Sequence, residues 1–280
     1  MSRNLSAAAI ASFDSLVKHD YQAMGQLRKT VRVKTGVKGS THRFQRMGKG
    51  MATARIPQTD VIPMNVGHEP VNATLSDWNA PEYTDIFDQA KTNVNERKEL
   101  AETIAGAITR REDQLLIDAL DAATTTKKVA VSVGGANSGL NTAKVREAKR
   151  LLDKSSVPKT DRFMVVHSNA LSQMLDDPKA TSSDFNTVKA LVDGNLKTWL
   201  GFNWIQLGDY DEGGLDLTGK IRTNFAYQKK AMGLAVGIDF RTEVGYVREK
   251  TSWLANGLFS AGAVAIDPDG IVELSTYENF

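Results

Sequence analysis

Cysteine is absent from the 280 residues, so no disulfide, iron–sulfur cluster or thiolate zinc site can form, which fits a reducing compartment. Histidine is scarce: His19, His42, His68 and His167 lie far apart, and none belongs to an HExxH pair. His68-Glu69 runs into Pro70, which would break the helix that such a metal motif requires. Neither charge sign is in excess. The 35 Lys+Arg against 33 Asp+Glu leave a net +2, which argues against a dedicated nucleic-acid binder with its clear positive surplus. Long apolar runs are missing too. The apolar stretch near the start covers residues 7–11, short of the ~7–15 of a secretory signal and the ~20 of a membrane span. The expectation is a soluble protein made in the cytoplasm. Apolar residues reach 41%, somewhat below the usual ~45–50%, and that deficit is local.

What is present follows a distinct order. Ile10, Phe13, Val17, Tyr21 and Met24 recur at spacings of three and four, which predicts an amphipathic helix over residues 5–24. Residues 28–55 then carry nine basic side chains (Arg28, Lys29, Arg32, Lys34, Lys38, Arg43, Arg46, Lys49, Arg55) and no acid. Residues 56–90 carry six acids (Asp60, Glu69, Asp77, Glu82, Asp85, Asp88) and no Lys or Arg. Strand-like runs at 30–34 and 41–47 are broken by glycines. Their apolar residues are too sparse to line a core, which predicts an extended arm. Such a long coreless stretch usually has a function.

The longest helical pattern covers residues 93–123. Leu100, Ile104, Ile108 and Leu115 form its stripe, widened by Ala101, Ala105, Leu116 and Leu120. Glu99, Glu102, Arg110, Arg111 and Glu112 are expected on its solvated face. A short strand at 129–133, a helix capped by Asn141 or Thr142, a buried strand at 163–166 and a helix capped by Ser168 follow. Residues 178–186 read as loop, 200–207 as strand and 209–219 as loop. The last quarter is β-rich, with strands expected at 221–227, 238–247, 251–266 and 271–276. Asp267-Pro268-Asp269-Gly270 supplies a tight turn between the last two.

Motifs that would carry chemistry are incomplete. Gly134 to Gly139 imitates a phosphate-binding loop, but Leu140 and Asn141 stand where Lys and Ser/Thr are needed. Asp209-Tyr210-Asp211 opens like a calcium loop, but the closing position is Lys220. No GxSxG nucleophile elbow occurs. The basic run could contact phosphate, yet Phe44 is the sole aromatic within it, too little for base stacking. The residues therefore indicate no catalytic site, cofactor site or metal site. An acid/base enzyme and a nucleic-acid-binding module remain minor alternatives.

This order of elements resembles tailed-bacteriophage major capsid proteins with the Hong Kong-type fold. The match rests on the texture of the arm, on NVNERKELAETIAGAITRREDQLLIDAL as spine helix, and on EVGYVREKTSWLANGLFSAGAVAIDPDGIV as closing strands. The resemblance implies an α+β fold. Its parts would be an N-terminal arm (1–30), a long β-hairpin E-loop and its base (31–90), and a spine helix with part of the P domain (91–138). An A domain (139–236) and the returning P-domain strands (237–280) complete it. It implies a virion capsid protein, synthesised in the bacterial host cytoplasm, that self-assembles as hexamers and pentamers into an icosahedral shell around double-stranded DNA, without sequence-specific binding. A portal, a separate scaffold protein and no membrane are further expectations. A same-fold bacterial nanocompartment of the encapsulin kind is the alternative. The charge split adds a hypothesis: Arg32, Arg43, Arg46, Glu69 and Asp77 would hold the arm by complementarity, between its own strands or against the next subunit.

Overall fold

The computed structural model describes residues 25–85, 96–123, 125–177, 198–209 and 211–278. The helix expected over residues 5–24 and the loop expected over 178–186 lie outside them.

Two sheets hold most of the strands among the described residues. The smaller has the order β1-β11-β12-β4. It joins β1 (Arg32–Lys34), β11 (Met232–Val247), β12 (Ser252–Ala265) and β4 (Ser76–Asp85). The run at 30–34 is thus no free arm. Val31 is buried, and β1 pairs in parallel with Gly233–Ala235. Strand β11 also begins earlier than expected, because Met232 to Val236 are all buried.

Helix α1 (Glu96–Asp121) crosses this sheet. At ~1.5 Å per residue it is about 39 Å long. Ile104, Ile108, Leu116 and Leu120 are buried along its stripe, as the spacing predicts. A Cβ at Gly257 of β12 would collide with the Ile104 side chain, so the close approach of helix to sheet needs glycine there. The expected solvated face is partly wrong. Glu112 is buried together with its neighbour Asp113, because both meet the incoming segment at residues 26–28. Asp113 accepts the backbone N–H groups of Gln26 (2.7 Å) and Leu27 (3.0 Å).

The larger sheet has the order β5-β13-β10-β6-β8-β7, with β9 added to β10. Its strands are β5 (Lys128–Val129), β6 (Arg162–His167), β7 (Thr198–Trp199), β8 (Phe202–Leu207), β9 (Leu217–Thr218), β10 (Ile221–Gln228) and β13 (Ile271–Tyr277). Helices α2 (Thr142–Lys154) and α3 (Ser168–Leu175) pack on it through Val145, Ala148, Leu152, Leu171 and Met174. Asn141 caps α2 as expected, accepting from Lys144 N at 3.0 Å. The cap of α3 is His167, not Ser168: its Nδ1 accepts from Asn169 N at 3.2 Å. Strand β5 is shorter than the 129–133 run, since residues 131–134 already turn. The strand expected at 200–207 is present as β8, but the first two residues of that run are a turn from β7. Leu200 and Gly201 have φ of 50° and 85°, the left-handed pair that a two-residue turn between β7 and β8 requires.

Candidate assembly interface

Strands β2 (Thr41–Met47) and β3 (His68–Thr74) form a sheet of their own, antiparallel from Thr41↔Thr74 to Met47↔His68. Their pairing closes with Gly48 N donating to Gly67 O at 2.8 Å. Beyond it, residues 49–66 contain no strand. This tip holds Met51, Val61 and Ile62 at 83%, 88% and 71% exposure, with Ile56 and Met64 also exposed. A concentration of bare apolar side chains on a projecting segment marks an interaction surface.

The hairpin's attachment to the body is narrow and apolar. Phe44 is buried against Ala73, Ala235 and Ile266, with its ring stacked edge-on to His42 at 4.7 Å. A Cβ at Gly233 would collide with that ring. Backbone bonds Val37 N to Val236 O (3.0 Å) and Leu75 N to Ser40 O (2.8 Å) tie down the base. A Cβ at Gly262 would strike the Thr74 carbonyl, so strand β12 passes the hairpin base with no room for a side chain. In sequence Phe44 is an aromatic too isolated for base stacking. Its polar neighbours hid an anchor.

Of the charged residues singled out, Arg46 and Glu69 are brought face to face, with Nη1 to Oε2 at 3.6 Å. Arg46 also reaches Asp267 at 3.1 Å and Asp269 at 3.9 Å in the turn before β13. Arg43 sits opposite Asn72. Arg32 is on β1, its guanidinium 5.7 Å from the Phe44 ring centre. Asp77 is on β4, where it accepts from Ser260 Oγ at 2.6 Å.

One polar cluster was not anticipated. Arg222 donates to Glu278 (2.7 Å) and Asp209 (2.8 Å), and Asp209 lies 3.1 Å from His167 Nε2. Burial, then the Arg222 charge, push the His167 pKa down. These residues are up to 111 positions apart, so no motif could signal them. The arrangement resembles a catalytic constellation in composition alone. Both carboxylates are already held by Arg222, and the His167 Nδ1 lone pair is taken by Asn169 N–H. It ties Glu278 to Arg222 of β10.

The imitated phosphate loop is tied up by its own neighbourhood. Ser138 Oγ donates to Val131 O and Val133 O, and Lys144 Nζ donates to the Ser138 and Ser275 carbonyls. Ser138 and the α2 residue Lys144 thus bond the carbonyls of the loop and of β13. Among the described residues, no group of three metal-ligating side chains converges, and no helix is long and apolar enough to cross a membrane.

A family model described as phage capsid protein matches residues 5–278. The chain belongs to the phage capsid protein family. Solved structures carry the fold at low identity. The first, from Mycobacterium phage Che8, is 16% identical with a TM-score of 0.73, covering 94% of this chain and 95% of that one. The capsid of Cyanophage P-SCSP1u is 15% identical with a TM-score of 0.75, over 96% and 93% of the two chains. The head of Helicobacter pylori bacteriophage KHP40 is 11% identical with a TM-score of 0.74, over 98% and 97%. No curated protein matches. The fold is the α+β Hong Kong-type capsid fold, and the family is a structural one whose place is the virion.

Proposed function

We propose that this chain is the major subunit of a phage shell and that its β2–β3 hairpin is the arm by which one copy grips the next. The observation that carries this reading is the apolar tip at residues 49–66, set on strands whose one large buried side chain is Phe44. Leaving Met51, Val61 and Ile62 in water forgoes about 1.5–3 kcal/mol for each side chain that a partner could bury. Shell subunits bury large areas per copy, often ~2,000 Å² or more, and a projecting arm supplies that area without a larger core. Hexamers and pentamers closing on enclosed double-stranded DNA, with a separate scaffold and a portal, complete the proposal. In it the subunit does no chemistry: Arg222 holds both carboxylates of the polar cluster, and Asn169 N–H occupies His167 Nδ1.

Sedimentation and electron microscopy of the purified protein, with scaffold co-expressed, should show closed particles of megadalton mass. Trypsin should cut the free subunit first between Lys34 and Arg55 and leave the assembled shell intact there. A persistent 30.6 kDa monomer, or equal cleavage in both states, would contradict the proposal.

A further inference from the structure

A basic groove lies where residues 28–33 meet Lys229 and Lys230. Two short helical turns, Leu27–Thr30 and Lys229–Ala231, lead into the parallel pair β1 and β11. Arg28 and Lys29 lie four and three residues before Arg32. Lys229 and Lys230 lie four and three before Gly233, the partner of Arg32 in β11. The two dibasic turns therefore come side by side. With Arg32, Val31 and Val33 they line a cavity of about 860 Å³.

Most of this charge is uncompensated among the described residues. Arg28 is neutralised by Asp239, at 2.8 and 2.9 Å, and by Glu112 at 3.4 Å. Lys29, Arg32, Lys229 and Lys230 have no carboxylate within 4.0 Å among the described residues. With a net charge of +2 over the whole chain, the cluster is a local concentration and not part of a general surplus. Like charges gathered on one wall repel each other and attract an external anion.

We propose that this groove binds the phosphate backbone of the double-stranded DNA that the shell encloses, which makes this face of the subunit the inner one. The inference rests on the shell reading above. Three of the four uncompensated charges are lysine ammoniums, compact point charges suited to single phosphate oxygens. Duplex DNA presents one such charge per ~1.7 Å of axis. The lining contains no aromatic ring to stack on a base and no side-chain amide to read a base edge, so contact is independent of sequence. An acidic protein segment would need apolar pockets for anchoring side chains. Here Val31 is buried in the core and Val33 is packed against it.

The triple substitution K29Q/K229Q/K230Q removes three charges and leaves Arg28 and Arg32 with their packing partners. Fluorescence anisotropy of a duplex DNA probe with the purified subunit, across a salt series, reads the effect. The slope of log affinity against log salt should become shallower by roughly three, about 0.9 per lost lysine. An unchanged slope overturns the proposal. So does tighter binding of poly-glutamate than of the duplex, which would assign the groove to an acidic protein segment. Sedimentation of both proteins under assembly conditions reads the shell separately. Particles with an unchanged slope reject the groove alone, whereas no particles from either protein reject the shell reading and the inner-face assignment with it.

Discussion

Strands β2 and β10 are nearly equal in length, seven and eight residues, but one buries a single side chain and the other six. Strand β10 lies between β13 and β6 with packed clusters on both faces, so Phe225, Ala226 and Tyr227 are closed off together. Strand β2 has a neighbour on one edge only, and Phe44 alone is deeply buried. The difference separates a region that covers its own side chains from one that leaves most of them exposed. Sheet pairing alone does not make a strand independently stable; burial of a face does.

The sharpest way to break that comparison is to damage each region in turn. Phe225→Ala in the large sheet should cost about 3–5 kcal/mol of subunit stability, as for other buried Phe truncations. Replacing residues 51–65 with a short Gly-Ser turn should leave the urea midpoint of the subunit unchanged and abolish particles. If the tip deletion lowered the midpoint as much as Phe225→Ala, the hairpin would belong to the self-sufficient region.

A second test lies where the chain enters the body. Burial raises the Asp113 carboxyl from its ordinary 3.8 to about 6, against the opposing pull of the Gln26 and Leu27 N–H groups. The folded state therefore keeps a proton that the unfolded chain has released. Its contribution is fully present below about pH 3.8 and is lost as pH rises through 6. Asp113→Asn has no proton to lose. Relative to the natural chain it should gain on the order of 3 kcal/mol between about pH 4 and 7, read from urea melts across that range. A constant difference would mean Asp113 ionises normally.

Phe44→Ala sits between the two regions. Its ring is buried, but the hairpin can detach without opening either sheet. Global unfolding should lose only about 1–2 kcal/mol, below the roughly 3–5 usual for a core Phe, because the loss is absorbed by local opening. Hydrogen exchange should then quicken in β2 and β3 and stay unchanged in β10.

Regular periodicity made much of this fold legible. The α1 stripe, the Asn141 cap, strands β10, β12 and β13 and the turn at Asp267 to Gly270 all have local signatures. The resemblance to capsid proteins came from their order. What failed depends on neighbours distant in sequence. Glu112 looks solvated until residues 26–28 arrive, and Phe44 looks stranded until Gly233 leaves room for its ring. The basic groove was visible as half a cluster. Arg28, Lys29 and Arg32 stood in the positive run, but Lys229 and Lys230 join them only through β1–β11 pairing.

The smallest expected effect concerns the charge complementarity of the hairpin. Arg46 and Glu69 face each other across β2 and β3, at 3.6 Å, but the Glu69 side chain is 73% exposed. Exposed pairs contribute about 0–1 kcal/mol, so Glu69→Lys should shift subunit stability by a few tenths at most. Arg46→Glu should cost more, because Arg46 also meets Asp267 and Asp269, and a carboxylate there would repel both. The charge swap R46E/E69K would rebuild the cross-strand pair and leave that repulsion in place, so rescue should be partial. Rescue of reversed Arg43 by a reversed Asp77 has no direct route within the subunit, since Arg43 faces Asn72 and Asp77 faces Ser260. A double-mutant cycle on the four proteins, at low and high salt, separates these terms. The Arg46–Glu69 coupling should fade with salt as exposed charges are screened. Full recovery by the swap would mean that Arg46 acts through Glu69 alone, and that the hairpin is tied to the body by Phe44 and not by its charges.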